Sequence, residues 1–133
     1  EDIEKVAKKQ GVEIRKGDVV LFYTGWTKLM GKDDKRYLAG GPGIGTEAAH
    51  YLGKKGIVAA GADNWSFEAV PHENSALSFP VNQMMATEYG IQVLENILVD
   101  ELVEDKAWEF LFVLGHPLYE GSTQVQINPV AIK

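Results

Sequence analysis

Two adjacent amide side chains and one later carboxylate are the residues whose types and spacing are best suited to chemistry. Asn82 and Gln83 are followed about one helix later by Glu95. Pro80 suits the first position of a helix that would carry both amides. A short apolar run at 91–94 predicts a strand that ends at Glu95. The sequence therefore predicts that a glutamine and a glutamate meet near one end of a sheet.

Amide and carboxylate oxygens are ligands for hard cations. They suit magnesium or manganese better than zinc, which also accepts soft sulfur donors. The same residues also suit a simpler interpretation, in which an amide caps the helix and Glu95 is a solvated side chain. Residue types and spacing leave both interpretations open.

The apolar pattern predicts alternating helices and strands that would place these side chains. A helix from Ile3 that ends at Gly11 precedes a strand at 19–23, which is apolar on both faces and so typical of a covered sheet. Residues 24–43 show no period and predict a long loop. The later predicted elements are a helix at 44–52, a strand at 57–60, the helix opened by Pro80, a strand at 91–94, a helix at 98–106, and strands at 108–114 and 125–132. The first strand-helix-strand unit predicts a parallel pair with a right-handed crossover.

Asp63, Asn64 and Trp65 directly follow the second predicted strand. Ligands of open α/β sheets bind in the crevice beyond the carboxyl ends of the strands, so all three are candidates by position. Asp-Asn is also ordinary turn chemistry, and a tryptophan beside a loop also seals hydrophobic cores. Trp65 is therefore a candidate either for lining a pocket or for closing the core.

Other features that resemble motifs are weak. The glycine run at 40–45 matches neither a phosphate loop nor a dinucleotide fingerprint, and predicts a plain helix entry. His50, His72 and His116 are far apart and lack metal-ligand spacing. We expect His50 on a partly exposed helix face and a structural role for His116. Glu109 lies between Trp108 and Phe110 in a predicted strand. Successive side chains of a strand point to opposite faces, so Glu109 would face solvent if its two aromatic neighbours are buried.

Composition bounds the class of protein. The 133 residues form at most one domain, with 45% apolar and 24% charged residues. A net charge of −6 argues against nucleic acid and anionic membranes, and no apolar run approaches the roughly 18 residues of a membrane span. The absence of cysteine excludes disulfides, thiolate nucleophiles and cysteine-bound zinc. These features favour a small-molecule ligand or a protein partner. We also expect a cytoplasmic location.

Four segments together resemble the cyclase family of metal-dependent hydrolases, which includes arylformamidase, isatin hydrolase and related lactone hydrolases. The resemblance covers nearly the whole chain and preserves the order of the segments, which read KGDVVLFYTGW, PGIGTEAAHYLGKKGIVAAGADNWSFEAVP, FPVNQMMATEYGIQVLENI and EFLFVLGHPLYEGSTQVQINPVAIK. It implies an α/β domain of the swivelling β/α type with a mixed sheet. It also implies divalent-metal hydrolysis of a cyclic amide, lactone or formamide, in homo-oligomers whose active sites can borrow residues from a neighbour.

The resemblance also implies roles for individual residues. Formamidase-like members carry a histidine in V-H-Q where this chain has Asn82, and V-N-Q is similar to the isatin-hydrolase branch, with one manganese instead of a zinc pair. Gln83 then matches a metal ligand. Glu95 matches the glutamate of the family's E-N-L segment, which either binds the metal or accepts a hydrogen bond from a group that does. Asn82 and Trp65 would contact the substrate.

The family's H-x-G-T-H-x-D-x-P-x-H segment, which carries its main metal and catalytic residues, is absent from these residues. We therefore expect residues 1–133 to be the C-terminal portion of one cyclase-family hydrolase domain, incomplete and inactive alone, with the missing N-terminal part as a partner. A loop at 121–124 also lacks a second glycine that relatives tend to have. One alternative is a non-catalytic module that binds a ligand or a protein at the same cleft. A nucleotide-binding α/β domain is disfavoured because no phosphate motif occurs.

Overall fold

A computed structural model describes residues 2–133. The helices within that range are α1 Asp2–Gln10, α2 Asp34–Ala39, α3 Thr46–Lys55, α4 Pro80–Thr87 and α5 Asp100–Glu104, with a 3₁₀ helix at Trp26–Leu29. The strands are β1 Val19–Phe22, β2 Ala59–Ala62, β3 Gln92–Leu94, β4 Leu111–Val113 and β5 Val130–Ile132. None of these helices is long and apolar enough to cross a membrane.

The strands form one parallel and one antiparallel sheet. β2 lies between β1 and β3 and pairs with both in parallel, with Val20 opposite Ala60 and Ala60 opposite Val93. β4 and β5 pair antiparallel. The predicted α/β class is therefore confirmed, as is the parallel pairing of the first two strands. The parallel and antiparallel pairs lie in two separate sheets instead of the one mixed sheet that was predicted.

The sequence of β2, Ala-Ala-Gly-Ala, explains its central place. Every residue of this strand is buried, whereas every residue of β1 is only half-buried. A Cβ at Gly61 would lie 2.8 Å from Leu94 Cβ, so only a glycine allows β3 to approach this closely. The main core packs α3 and α4 on this sheet through buried side chains that include Leu52, Phe67 and Met85.

The prediction of an unstructured loop at 24–43 is wrong. This range contains the 3₁₀ helix and α2, whose first turn is capped by Asp33, since its carboxylate accepts a hydrogen bond from Arg36 N at 3.1 Å. Both helices are too short to display a period. Tyr37 is the buried residue of α2, and its hydrogen bonds to Trp26 and Trp65 connect this helix to the neighbouring loops.

Other boundaries differ from the predictions. β2 begins two residues later than predicted, and Ile57, which precedes the strand, is buried although it is not part of it. The last two strands are shorter than predicted, and Glu109 lies exposed before β4 rather than within it. The β4–β5 pair has one apolar face that is exposed. Two side chains from each strand form this face and are 48–62% exposed: Leu111, Val113, Val130 and Ile132.

Candidate functional site

An open cleft lies beyond the carboxyl end of β3. One wall comes from the start of α4 and residues 91–96, and the other from residues 114–127. Trp65, Asn82 and Glu95 all line this cleft, together with Phe79 and Asn96. The structure thus brings together three of the four residues to which the resemblance gives a role in the site.

An aromatic pair forms the apolar part of the cleft. The rings of Trp65 and Phe79 meet edge to face with centroids 6.3 Å apart. Phe79 is held in the left-handed region at φ 49° immediately before Pro80, which opens α4 as predicted. A π-face at this position can stack on a flat ring of a ligand.

Asn82 and Gln83 lie on different faces of α4. Asn82 faces the cleft together with Ala86, four residues on. Gln83 shares a separate shallow depression with Thr87, and its Nε2 donates to Ser78 O at 2.8 Å. Neighbouring residues on a helix point about 100° apart, so one face cannot present both amides.

Glu95 is half-buried at the end of β3. Burial raises the pKa of its carboxyl above the ordinary value, and the negative charge of Glu68 raises that pKa further. No side chain among residues 2–133 donates a hydrogen bond to it, so its oxygens are available to a ligand, a water or a cation in the cleft.

Glu68 is a buried carboxylate behind the cleft, 1% exposed. Its two oxygens accept hydrogen bonds from Val81 N at 3.2 Å and Asn82 N at 3.1 Å. These N–H groups belong to the first turn of α4, where the helix itself offers them no acceptor. His72 Nδ1 lies 3.5 Å from Glu68 Oε2. The partial positive charge of the helix start stabilises this carboxylate and fixes the entry of α4.

Asp63 and Asn64 are buried and serve the loops rather than the cleft. The Asp63 carboxylate accepts hydrogen bonds from Thr24 N and Gly25 N, each at 2.7 Å, and from Thr24 Oγ1 at 2.6 Å. Asn64 Oδ1 accepts from Phe67 N at 2.7 Å. Asp63 therefore holds the loop that follows β1, and Asn64 stabilises its own turn.

Tyr37 connects three loops at the carboxyl edge of the parallel sheet. Its carbonyl accepts the indole N–H of Trp65 at 2.9 Å and that of Trp26 at 3.3 Å. Its hydroxyl donates to Asn96 Oδ1. Burial raises the pKa of the Tyr37 hydroxyl, and the charges of Asp63 and Glu95 add to that rise, so the group remains a donor.

Residues 2–133 do not supply a complete set of metal ligands. Among residues 2–133 no three His, Cys, Asp or Glu side chains lie close enough to hold a metal ion together. Gln83 faces away from the cleft that Glu95 lines. The residues present do not form a metal centre by themselves, so a metal at this cleft needs ligands from elsewhere.

Sequence reasoning missed three residues that shape the site: Tyr37, Glu68 and Asn96. Tyr37 and Glu68 lie in segments without periodic pattern, and the hydrogen-bond partners of their side chains are 13 to 59 residues away in sequence. Asn96 had a usable signal, because it follows Glu95 directly at the end of a predicted strand.

A mixed α/β domain with a polar and aromatic cleft at its strand ends is the architecture of an α/β enzyme or ligand-binding domain. The sequence model of the family described as "Putative cyclase" matches residues 1–69, just over half of the chain. The chain belongs to this cyclase family.

A solved structure supports the fold. The chain resembles a crystal structure described as that of a novel cyclase, with a TM-score of 0.85 and 24% sequence identity. The similarity covers 99% of this chain and 45% of that chain, so this chain spans less than half of its structural relative. No curated protein matches the sequence.

Proposed function

We propose that this chain supplies the substrate cleft of a hydrolase that opens a cyclic amide, a lactone or a formamide. The observation that carries the proposal is the convergence of Glu95, Asn82 and the Trp65–Phe79 pair on one cleft. Family membership supports an enzyme of this general class. The predicted roles of Asn82 and Trp65 as substrate contacts agree with this placement.

The cleft residues suggest a division of labour. Trp65 and Phe79 bind the flat ring, and Asn82 orients the reacting amide or ester. Glu95 faces the water that adds to the carbonyl carbon. The water oxygen forms a bond to the carbonyl carbon, the C–N or C–O bond breaks, and the leaving nitrogen or oxygen takes up the proton that the water loses. The aromatic side chains exclude other water from this reaction.

The rest of the active site would come from outside these residues. The cleft measures about 1580 Å³, whereas pockets for small ligands are typically about 300–1,000 Å³. A further segment of the same protein, or a neighbouring subunit, would narrow it. We propose a divalent metal, manganese in preference to zinc, with Glu95 as one ligand and the other ligands from that segment.

The role of Gln83 is a separate proposal. As a manganese ligand it would have to turn towards the cleft in the complete protein. Its present contact, the hydrogen bond from Nε2 to Ser78 O, leaves Oε1 without a partner among residues 2–133. Loss of manganese from a Gln83→Ala protein would support the ligand role, and full retention would refute it.

The experiment that tests the proposed function begins with the natively expressed protein. Its intact mass and its metal content are measured first, and hydrolysis of isatin is then followed with and without added manganese. We expect a mass well above 14.7 kDa, about one manganese per chain, and a loss of about 100-fold or more in kcat/KM for Glu95→Gln.

The rival candidate is a non-catalytic module that binds a ligand or partner protein at this cleft. The incomplete set of metal ligands within residues 2–133 favours it. A natural protein of 14.7 kDa without metal and without hydrolysis of isatin would establish the rival and refute the hydrolase. The cytoplasmic location and the homo-oligomer remain predictions.

A further inference from the structure

We propose that His72 is a pH-sensitive positioning residue, which holds Phe79 in the wall of the cleft while its ring is neutral and releases Phe79 when the ring is protonated. His72 lies between β2 and α4 and does not itself line the cleft. The inference concerns the shape of the cleft, so it applies equally to a hydrolase and to a non-catalytic binding module. It therefore does not depend on the proposed function.

The imidazole of His72 contacts Phe79 on one side. Phe79 N donates a hydrogen bond to His72 Nε2 at 3.3 Å, and the two rings meet edge to face with centroids 5.0 Å apart. Because Nε2 accepts this hydrogen bond, it carries no proton, and the proton of the neutral ring lies on Nδ1. The His72 side chain is 15% exposed, so most of its contacts are with the protein itself.

The other ring nitrogen of His72 is poorly satisfied. His72 Nδ1 is buried, has no hydrogen-bond partner among residues 2–133, and lies 3.5 Å from Glu68 Oε2. Glu68 is almost fully buried, and its two oxygens also accept from Val81 N and Asn82 N. The neutral ring therefore has one hydrogen bond, to Phe79, and one long contact with a carboxylate.

Protonation reverses the balance between these two contacts. A charged imidazole carries a proton on both nitrogens, so Nε2 can no longer accept from Phe79 N and two donors face each other. The charged ring is attracted to Glu68, and hydrogen bonds between charged groups are roughly twice as strong as neutral ones. Closing the gap of 3.5 Å to Glu68 Oε2 thus becomes favourable at the point where the bond to Phe79 is lost. Histidine is the side chain whose charge ordinarily changes between about pH 5 and 8.

The charged groups near His72 favour this response. Glu68 is in contact with the ring, and Glu95 lies close enough to Glu68 for the charge of Glu68 to raise the pKa of the Glu95 carboxyl. Glu73 is next to His72 in sequence, but its carboxylate accepts hydrogen bonds at the start of α3. The first turn of α4, at 80–83, carries no charged side chain. These groups are negative, so they stabilise the protonated ring.

Release of Phe79 changes the aromatic part of the cleft. Phe79 is held at φ 49°, a left-handed conformation that a non-glycine residue keeps only where its surroundings impose it. Without the hydrogen bond to His72, Phe79 can leave that conformation and break its contact with Trp65, whose ring centroid is 6.3 Å away. α4 stays in place because Glu68 still accepts from the amides of its first turn. The movement is therefore limited to the wall of the cleft.

Nuclear magnetic resonance of the full-length protein between about pH 5 and 8 tests the inference without a ligand. We expect the ¹⁵N chemical shifts of His72 to show the proton on Nδ1 at the upper pH. As His72 becomes charged, the protection factor of the Phe79 amide, corrected for the intrinsic pH dependence of hydrogen exchange, should fall by about tenfold or more. A proton on Nε2 at the upper pH, or a constant protection factor of Phe79, would overturn the inference.

Two histidine variants assign the response to one residue. His72→Gln cannot become charged, but its side-chain oxygen can still accept from Phe79 N, so the protection of Phe79 should no longer depend on pH. His50→Gln is the matched control, because His50 also contacts an aromatic ring edge to face, that of Tyr89, but lies exposed on α3. It should keep the full response. A response of equal size in both variants would overturn the inference, and the measurements on the unchanged protein stand even if His72→Gln does not fold.

The outcomes distinguish this inference from the proposed function, because neither measurement uses a substrate or a metal. Loss of Phe79 protection at low pH, in a protein that does not hydrolyse isatin, would support the inference while refuting the hydrolase. Hydrolysis of isatin by a protein in which the protection of Phe79 is constant would do the reverse.

Discussion

Replacement of Glu68 by alanine should be among the most destabilising changes to a polar residue of this chain. Val81 N and Asn82 N would both lose a charged acceptor in a place that water does not reach freely. Each buried donor left without a partner costs about 1–3 kcal/mol. Loss of the favourable charge at the start of α4 costs up to about 1 kcal/mol more. We therefore expect a loss of about 3–5 kcal/mol in the free energy of unfolding.

Glu73 offers a matched control for this experiment. It is an exposed carboxylate at the start of another helix, α3, where it accepts hydrogen bonds from Thr46 N at 3.1 Å and Thr46 Oγ1 at 3.2 Å. Because water can replace an exposed acceptor, Glu73→Ala should cost about 1 kcal/mol or less. Urea unfolding followed by circular dichroism measures the free energy of unfolding of both variants. An m value equal to that of the unchanged protein shows that the free energies can be compared. A Glu68→Ala protein no less stable than Glu73→Ala would refute the reasoning.

Two further predictions concern a hydroxyl and a glycine. Tyr37→Phe should cost about 1 kcal/mol at neutral pH. Because the pKa of Tyr37 is raised on folding, the folded state holds more protons than the unfolded state above about pH 10, so the stability that this hydroxyl contributes should fall as pH rises further. Unfolding of both proteins between about pH 9 and 11 checks this, and a constant difference would contradict it. Gly43→Ala should destabilise by about 1–3 kcal/mol, because its Cβ would lie 2.2 Å from the carbonyl carbon of Glu68. Gly115→Ala is the control with open space, and equal melting temperatures for the two variants would count against the steric argument.

Local chemistry made part of the fold predictable. Pro80 placed the start of α4 correctly, and the short apolar run before Glu95 placed β3 within one residue. Both signals act over a few residues and need no knowledge of distant partners. In contrast, α2 depends on the Asp33 cap and on burial of Tyr37, whose partners lie on other loops. A sequence pattern cannot display contacts of that kind.

The location of the candidate site could be predicted from the sequence better than the residues that form it. The carboxyl ends of the parallel strands correctly indicated where a cleft would lie. Asn82 and Gln83 were assigned to one site from their place on the predicted helix and from the family resemblance, although neighbours on a helix point in different directions. Asn64 and Asp63 were candidates by position, and the turns at the strand ends use both of them instead.

The shared carbonyl of Tyr37 has an optical consequence. Two of the three tryptophans of the chain donate to this one oxygen, and of these two only Trp65 also borders the cleft. An occupant that stacks on Trp65 perturbs its indole directly, and any shift of the shared acceptor perturbs Trp26 as well. The ultraviolet emission of these two indoles therefore responds to occupancy of the cleft without an attached label, while Trp108, which lies outside the cleft, supplies a constant background.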